Sequence, residues 1–139
     1  MNLQGIVAIV TGGGSGLGRA TAEAFAAAGA EVAVVDMNLA AAEEVATAIG
    51  GRAYAFDVAD AAAAEAAIGR IEADLGGIRV LVNCAGIGVA KRVLGKEGPQ
   101  PLADFERVIR VNLIGSFNML RLATAAMAKL EPLAGIERG

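Results

Sequence analysis

The sequence predicts an α/β fold in which helices cover both faces of a parallel sheet. Apolar runs of strand length alternate with alanine-rich segments of helical periodicity, and this alternation is typical of parallel sheets. The first run, Ile6 to Val10, contains no polar residue, as expected of a strand that is buried on both faces. A glycine-rich stretch, residues 11–18, then joins this strand to the first helix.

The other elements follow in the same alternating order. Apolar spacing, capping residues and terminal glycines set their bounds. The predicted elements are a helix over 17–28 before Gly29, a strand over 31–35, a helix capped by Asn38 and ended by Gly50, a strand over 52–56, a helix capped by Asp60 and ended by Gly76, a strand over 78–84 and a long helix from Leu102 to about Lys129. Residues 91–101 are predicted as one long irregular connection. All of these elements are assigned to a single domain, 1–139.

Composition narrows the class of protein. With 139 residues, 55% of them hydrophobic and 19% charged, the chain can bury the core of one domain. A net charge of −3 without a block of cations gives no reason to expect nucleic acid or an anionic membrane as a partner. One cysteine and no histidine provide neither a disulfide nor a cysteine–histidine metal site. No segment has the length and apolarity of a membrane span and no secretory signal is recognised, so a cytoplasmic location is expected.

The glycines of residues 11–18 predict a nucleotide-binding site. A diphosphate can approach the backbone only where no Cβ intervenes, and the unpaired N–H groups at a helix start carry the positive end of the helix dipole. Gly12 is assigned to the tight turn after the strand, Gly16 to the close approach of phosphate, and Gly18 to the packing of helix on sheet. The other loop residues assigned to the site are Ser15 and Leu17. On the loop alone, a glycine-rich turn without a ligand remains the alternative.

An acidic residue follows the second predicted strand. Asp36 lies at the expected distance beyond the glycines and at the carboxyl end of that strand, where the adenosine ribose of a dinucleotide sits. Its carboxylate can accept hydrogen bonds from both ribose hydroxyls and would repel a 2′-phosphate. Because Met37 rather than a cation follows Asp36, the sequence predicts NAD in preference to NADP.

Two further motifs stand at the ends of predicted strands three and four, Asp57-Val58 and Asn83-Cys84-Ala85-Gly86. Together with residues 11–18 and Asp36, they resemble the nicotinamide-dependent short-chain dehydrogenases/reductases. The resemblance implies a Rossmann-type doubly wound sheet of order 3-2-1-4, here truncated after strand four and the following long helix. It also implies that Asp57 and Val58 hold the adenine edge, and that the backbone of the second motif lines the nicotinamide ribose. Many family members carry an asparagine where this chain has Cys84, a position that needs only a small side chain.

A closer likeness runs along the whole chain. The runs that carry it are Cys84 to Ile87, Gln100 to Leu102, Asp104 to Val108 and Val111 to Asn118. They look like those of the type II 3-hydroxyacyl-CoA dehydrogenases, a group within the same family. This resemblance implies an acyl-CoA substrate, interconversion of a 3-hydroxyacyl-CoA and its 3-oxoacyl-CoA with NAD, and a homo-oligomer, which in the family is a tetramer.

One catalytic residue is carried over by the resemblance. Asn112 lies inside the long apolar helix, where an amide is a poor core residue and a mediocre helix former. In the family, the asparagine of this motif kinks the helix and holds a water in a proton relay to the catalytic lysine, so Asn112 is expected to be catalytic. The alternative is a helix amide satisfied by neighbouring backbone.

The family's catalytic serine, tyrosine and lysine have no counterpart in the chain. The only tyrosine, Tyr54, is followed by no lysine at the required spacing and lies on the third predicted strand. The chain stops at Gly139, where family members begin strand five, so the resemblance covers the front half of an enzyme. This chain alone is therefore expected to be inactive.

Two apolar surfaces predict that the chain is not stable as a free monomer. The fourth strand would form an unprotected hydrophobic edge. The long helix carries an apolar stripe, made of Phe105, Ile109, Leu113, Phe117 and Leu120. Association with another chain or aggregation is the expected result.

Functions from different classes stay open at this point. The first is an NAD-dependent dehydrogenase, for which the substrate could also be another secondary alcohol such as a 3-oxoacyl carrier protein derivative, a steroid or a sugar. The second is a nucleotide-binding module without chemistry of its own. An adenosylmethionine-dependent methyltransferase would share the glycine loop and Asp36, but it gives no reason for the motif of residues 83–86.

Overall fold

Four parallel strands form the central sheet of the computed structural model, which describes residues 2–133. The strands are β1 (Val7–Thr11), β2 (Glu31–Val35), β3 (Arg52–Tyr54) and β4 (Ile78–Asn83). Their order across the sheet is β3-β2-β1-β4, and each neighbouring pair is parallel. The predicted Rossmann-type sheet and its strand order are confirmed.

Helices pack on both faces of this sheet. They are α1 (Gly16–Ala27), α2 (Leu39–Ile49), α3 (Ala61–Leu75), α4 (Leu102–Ile109) and α5 (Ser116–Met127). Helices α1 and α2 contribute to one buried cluster, and α3 and α5 contribute to the other. No helix within residues 2–133 has the length and apolarity that crossing a membrane would require.

The side chains of β1 alternate between the two cores. Val7 and Ile9 belong to the cluster formed with α3 and α5, whereas Val10 belongs to the cluster formed with α1 and α2. All five residues of β1 are buried. This alternation confirms the prediction that the first strand is covered on both faces, and it follows from the two-residue period of strand side chains.

The predicted helix caps are confirmed. The side chain of Asn38 accepts a hydrogen bond from the backbone N–H of Ala41 (3.2 Å), and that of Asp60 accepts one from Ala63 (3.0 Å). Each cap satisfies one of the unpaired donors at a helix start. Gly50 ends α2 with a φ of 69°, a left-handed conformation that glycine adopts without a steric penalty.

The structure differs from the predictions in three segments. The third strand is shorter than the predicted 52–56, because β3 ends at Tyr54. Residues 91–101 are not wholly irregular, because β5 (Leu94–Gly95) pairs antiparallel with β6 (Gly98–Pro99) in a short hairpin. The long predicted helix is interrupted by a π-helical segment, Arg110–Gly115, between α4 and α5. Such π-helical turns are frequent at functional sites, and this one contains Asn112.

Candidate dinucleotide-binding site

A cleft of about 450 Å³ opens where the carboxyl ends of the parallel strands meet the loops that follow them. In an open α/β sheet, this end is where ligands bind. The cleft brings together most of the residues predicted for cofactor binding: Gly12, Ser15, Gly16, Leu17, Gly18, Asp36, Asp57, Val58, Cys84, Ala85 and Gly86. Among residues 2–133, no group of three or more His, Cys, Asp or Glu side chains is placed to hold a metal ion.

The glycines of the first loop keep its backbone close to the neighbouring elements. Gly12 has a φ of 65°, and a Cβ there would lie 2.8 Å from the backbone nitrogen of Ala85. A Cβ on Gly18 would collide with the carbonyl oxygen of Gly12. The close contact of Gly18 is therefore with the loop carbonyl, whereas the sequence predicted a contact between helix and sheet.

Gly16 differs from these two glycines because it faces open space. Its φ is 53°, and a Cβ placed there would meet nothing within 4 Å. It lies at the first position of α1 and lines the cleft. The first N–H groups of a helix have no intrahelical partner, and such groups at an open helix start can bind a phosphate.

Asp36 is fixed at both of its carboxylate oxygens. Oδ2 accepts a hydrogen bond from the backbone N–H of Gly14 (3.1 Å), and Oδ1 accepts one from Asn38 (3.0 Å). The backbone N–H of Asp36 donates to the carbonyl of Tyr54 (3.1 Å). An ionised carboxylate has about four acceptor positions, so Asp36 keeps the capacity to accept hydrogen bonds from two ribose hydroxyls at the cleft.

Thr11 opens the glycine-rich stretch predicted as the nucleotide site, but no separate role was predicted for its side chain. It is fully buried, and its Oγ1 accepts hydrogen bonds from the backbone N–H groups of Cys84 and Ala85, both at 3.2 Å. Its hydroxyl also donates to Asn83 Oδ1 (3.4 Å). Thr11 thereby joins the first loop to the loop after β4. A polar side chain at the end of an otherwise apolar strand was the signal that could have identified it.

Asn83 does not line the cleft; it is exposed and lines a separate groove between β4 and α5. Its Nδ2 donates to the carbonyl of Ser116 (3.2 Å), while its Oδ1 accepts from Thr11. The Asn83 amide therefore connects β4 both to β1 and to α5. A direct role of this side chain in cofactor binding stays a prediction.

The Asp57–Val58 turn forms another wall of the cleft. The Asp57 Oδ1 atom accepts a hydrogen bond from the backbone N–H of Ala59 (2.8 Å), which stabilises the turn. Val58 is buried, and its carbonyl accepts a hydrogen bond from Asn118 Nδ2 (2.8 Å). Asn118 is also absent from the predicted site residues, although an amide in an apolar helix gave the same signal as at Asn112.

The amide of Asn112 is bonded to the backbone of a single residue. Its Oδ1 accepts from the N–H of Ile87 (2.8 Å), and its Nδ2 donates to the carbonyl of Ile87 (3.0 Å). The hydroxyl of Ser116 donates to the Asn112 carbonyl (2.7 Å). Asn112 thus holds the loop after β4, and its role in a proton relay stays a prediction.

Tyr54 does not reach the cleft. Its side chain is buried, and its hydroxyl donates a hydrogen bond to Asp74 Oδ2 (2.9 Å). Burial, together with the hydrogen bond to Asp74, raises the pKa of Tyr54 to about 12. A general acid/base works best with a pKa near the operating pH, so the environment of Tyr54 is that of a structural phenol.

The chain belongs to the short-chain dehydrogenase family, because the sequence model of that family matches residues 6–133. This assignment agrees with the parallel sheet and with the loops that form the cleft. It makes the chain a member of a family of oxidoreductases.

Curated relatives agree with this assignment. The chain is 41% identical to 3-hydroxyacyl-CoA dehydrogenase type-2 from Bos taurus and 38% identical to the protein of the same name from Homo sapiens, in each case over 99% of this chain and 54% of the relative. It is 43% identical to D-threitol dehydrogenase from Mycolicibacterium smegmatis, over 84% of this chain and 45% of the relative. The chain therefore spans about half the length of the curated relatives it matches.

A solved structure also matches the fold. It is described as ribose-5-phosphate isomerase from Brucella melitensis 16M, with a TM-score of 0.80 and 39% sequence identity, over 93% of this chain and 48% of that one. The described activity differs from that of the dehydrogenase relatives.

Proposed function

We propose that this chain forms the cofactor-binding half of an NAD-dependent oxidoreductase that interconverts a 3-hydroxyacyl-CoA and its 3-oxoacyl-CoA. The observation that carries the proposal is the convergence of the glycine loop, Asp36, the Asp57–Val58 turn and residues 84–86 on one cleft. The dehydrogenases named 3-hydroxyacyl-CoA dehydrogenase type-2, which resemble the chain along nearly its whole length, support the choice of substrate.

The residues of the cleft fit a nicotinamide dinucleotide. The open space above Gly16 suits a diphosphate, and the carboxylate of Asp36 suits the two hydroxyls of a ribose. Such a cofactor accepts or donates hydride at C4 of its nicotinamide when it is bound. This chain binds and orients the cofactor, and Thr11 and Asn112 hold the loop after β4 in place.

NAD is the proposed cofactor because a 2′-phosphate would meet a negative charge at Asp36. The carboxylate cannot readily turn away, since both of its oxygens accept backbone hydrogen bonds. Ser15 and Met37 line the same cleft and offer no positive charge to compensate.

Turnover is proposed to require groups from outside this chain. Reduction of a ketone needs a proton donor, and in the family this is a tyrosine with a lysine four residues later. The chain contains one tyrosine, Tyr54, whose buried phenol is bonded to Asp74. A polypeptide that corresponds to the other half of the relatives would supply the missing groups.

Absorbance of NADH with 3-hydroxybutyryl-CoA tests this proposal. The chain alone should give no turnover, whereas the chain combined with a polypeptide that supplies the tyrosine and lysine should reduce NAD. Turnover by the chain alone, after removal of host dehydrogenases, would contradict this division of roles. A combined protein that binds NAD but never turns over any hydroxyl substrate would favour a nucleotide-binding module without chemistry.

A second substrate class is favoured by one comparison. The 43% identity to D-threitol dehydrogenase makes a polyol the principal alternative substrate. The same assay with threitol in place of the thioester distinguishes the two. Faster reduction of NAD with threitol than with 3-hydroxybutyryl-CoA would replace the acyl-CoA proposal.

A further inference from the structure

Asn118 is a buried amide of α5 whose side chain contacts the wall of the cleft. Only 6% of it is exposed, and both ends of its amide are hydrogen-bonded. Nδ2 donates to the carbonyl of Val58 (2.8 Å), and Oδ1 accepts from Arg121 Nε (2.9 Å). Arg121 in turn reaches Glu65 of α3 at 3.0 Å. A chain of polar contacts therefore runs from the surface of the helix pair to the backbone of the cleft wall.

The structure also brings the helix unusually close to Val58. A Cβ added to Gly115 would lie 2.5 Å from Cγ2 of Val58. Glycine at this position lets the π-helical segment approach the turn, so that Asn118, one turn further on, can reach the Val58 carbonyl. Both residues thus contact Val58. Gly115 lies against the Val58 side chain, and Asn118 is bonded to the Val58 carbonyl.

An amide is the side chain that suits this position. The Val58 carbonyl can only accept, and the Arg121 guanidinium can only donate. Asn118 presents a donor to the first and an acceptor to the second. Aspartate has nearly the same shape and would keep the contact with Arg121, but it has no N–H for the carbonyl. The Val58 carbonyl would then be left unsatisfied or would have to move, and both outcomes are costly for a buried group.

We propose that Asn118 is a positioning residue for the adenine end of the cleft, because its amide sets the Val58 carbonyl and hence the Asp57–Val58 wall. Arg121 orients that amide from the surface side. This inference rests on the proposed binding of a dinucleotide in the cleft. Helix α5 thereby controls affinity for the adenosine half of the cofactor, although it does not itself line the cleft.

Separate titrations of AMP and nicotinamide mononucleotide test the inference. AMP reports on the adenine end, and nicotinamide mononucleotide reports on the end formed by Cys84 to Gly86. Asn118→Asp should weaken AMP binding by about tenfold and change binding of the nicotinamide mononucleotide by less than about twofold. Arg121→Met, at a partly exposed position, should weaken AMP binding about threefold, and it provides the test if Asn118→Asp fails to fold.

Val45→Ala is the matched control for lost stability. Val45 is fully buried in the core on the other face of the sheet, so this variant should lower the melting temperature and leave both affinities unchanged. Equal weakening of AMP and nicotinamide mononucleotide binding by Asn118→Asp, or no weakening of either, would overturn the inference. A wild-type chain that binds neither AMP nor NAD would instead overturn the proposed function, and the inference with it.

Discussion

Several polar side chains around the cleft are hydrogen-bonded to backbone groups. Thr11 accepts from two N–H groups of the loop after β4, and Asp36 accepts from the N–H groups of Gly14 and Asn38. Asn112 is bonded twice to Ile87. A hydrogen bond of this kind contributes about 1 kcal/mol, whereas an unsatisfied buried partner costs about 1–3 kcal/mol. These residues therefore fix loop geometry before a ligand arrives, which lowers the entropic cost of binding.

The buried phenol of Tyr54 should titrate at a higher pH than an exposed one. Burial and the hydrogen bond to Asp74 raise its pKa to about 12, compared with about 10 for an exposed phenol. Folding therefore stabilises the protonated form, so this contribution is fully present below about pH 10 and is lost as the pH rises through about 12. Because the chain has one tyrosine and no tryptophan, absorbance of the phenolate reports this group alone.

In the native protein, the rise in phenolate absorbance with pH should have its midpoint near pH 12, or it should coincide with unfolding of the chain. In urea it should return to about 10. Asp74→Asn should lower the native midpoint by removing the carboxylate, while Asp104→Asn, at a site paired with Lys91, should not. A native midpoint of 10 in folded protein would contradict the buried contact with Asp74.

At the scale of elements, the junction of β1 and α1 tolerates a side chain poorly. A Cβ at Gly18 would collide with the Gly12 carbonyl, so Gly18→Ala should destabilise the chain by about 1–3 kcal/mol, as overpacking typically does. Gly69 is the matched control, since it lies in the interior of α3 and a Cβ there would meet nothing within 4 Å. Gly69→Ala should stabilise by about 0.5–1 kcal/mol.

Chemical denaturation at fixed protein concentration measures both changes. Two alanine variants of equal stability would contradict the close contact at Gly18. A stabilised Gly18→Ala would mean that the loop can move away from the helix at no cost.

Local signals account for the elements that could be predicted. Asn38 and Asp60 could be predicted as helix caps because the capping bond spans only three residues. The uninterrupted apolar run from Ile6 to Val10 already specifies burial on both faces. The hairpin of β5 and β6 and the π-helical segment could not be predicted in this way. The π-helical segment makes contacts between residues far apart in sequence, namely those of Asn112 with Ile87 and of Gly115 with Val58.

The site shows the same division. The motifs located most of the cleft because their residues follow strands whose carboxyl ends meet at one edge. Thr11 and Asn118 were missed because their roles depend on which backbone groups face them after folding. The strand order was available only through the resemblance to the family, and the contacts of Asn83 with Thr11 and Ser116 were not available at all.

At the scale of the whole molecule, a large apolar surface is left uncovered. Phe105, Leu113, Phe117 and Leu120 of the predicted stripe are exposed, Leu113 and Phe117 at 63% each. Burying apolar surface contributes about 25 cal/mol per Å², and exposed apolar patches often mark interaction sites. We propose that this stripe associates with another copy of the chain, in keeping with the homo-oligomer that the resemblance implies.

Size-exclusion chromatography with light scattering should give a mass above that of one chain. Phe117→Ser combined with Leu113→Ser should lower that mass or the tendency to associate. Leu39→Ser is the matched control, because Leu39 is an exposed apolar residue of α2, a helix that packs on the other face of the sheet. A wild-type chain that is a monomer with a cooperative thermal transition would contradict the proposal.

Calorimetric titration of NAD and NADP measures whether the cleft of this chain selects NAD. Asp36→Ala removes the negative charge at the cleft, and Glu43→Ala removes one from an exposed position on α2 outside the cleft. The wild-type chain and Glu43→Ala should bind NAD at least about tenfold more tightly than NADP, and Asp36→Ala should narrow that gap. Tighter binding of NADP than of NAD by the wild-type chain, or binding of neither, would mean that the cleft does not select NAD.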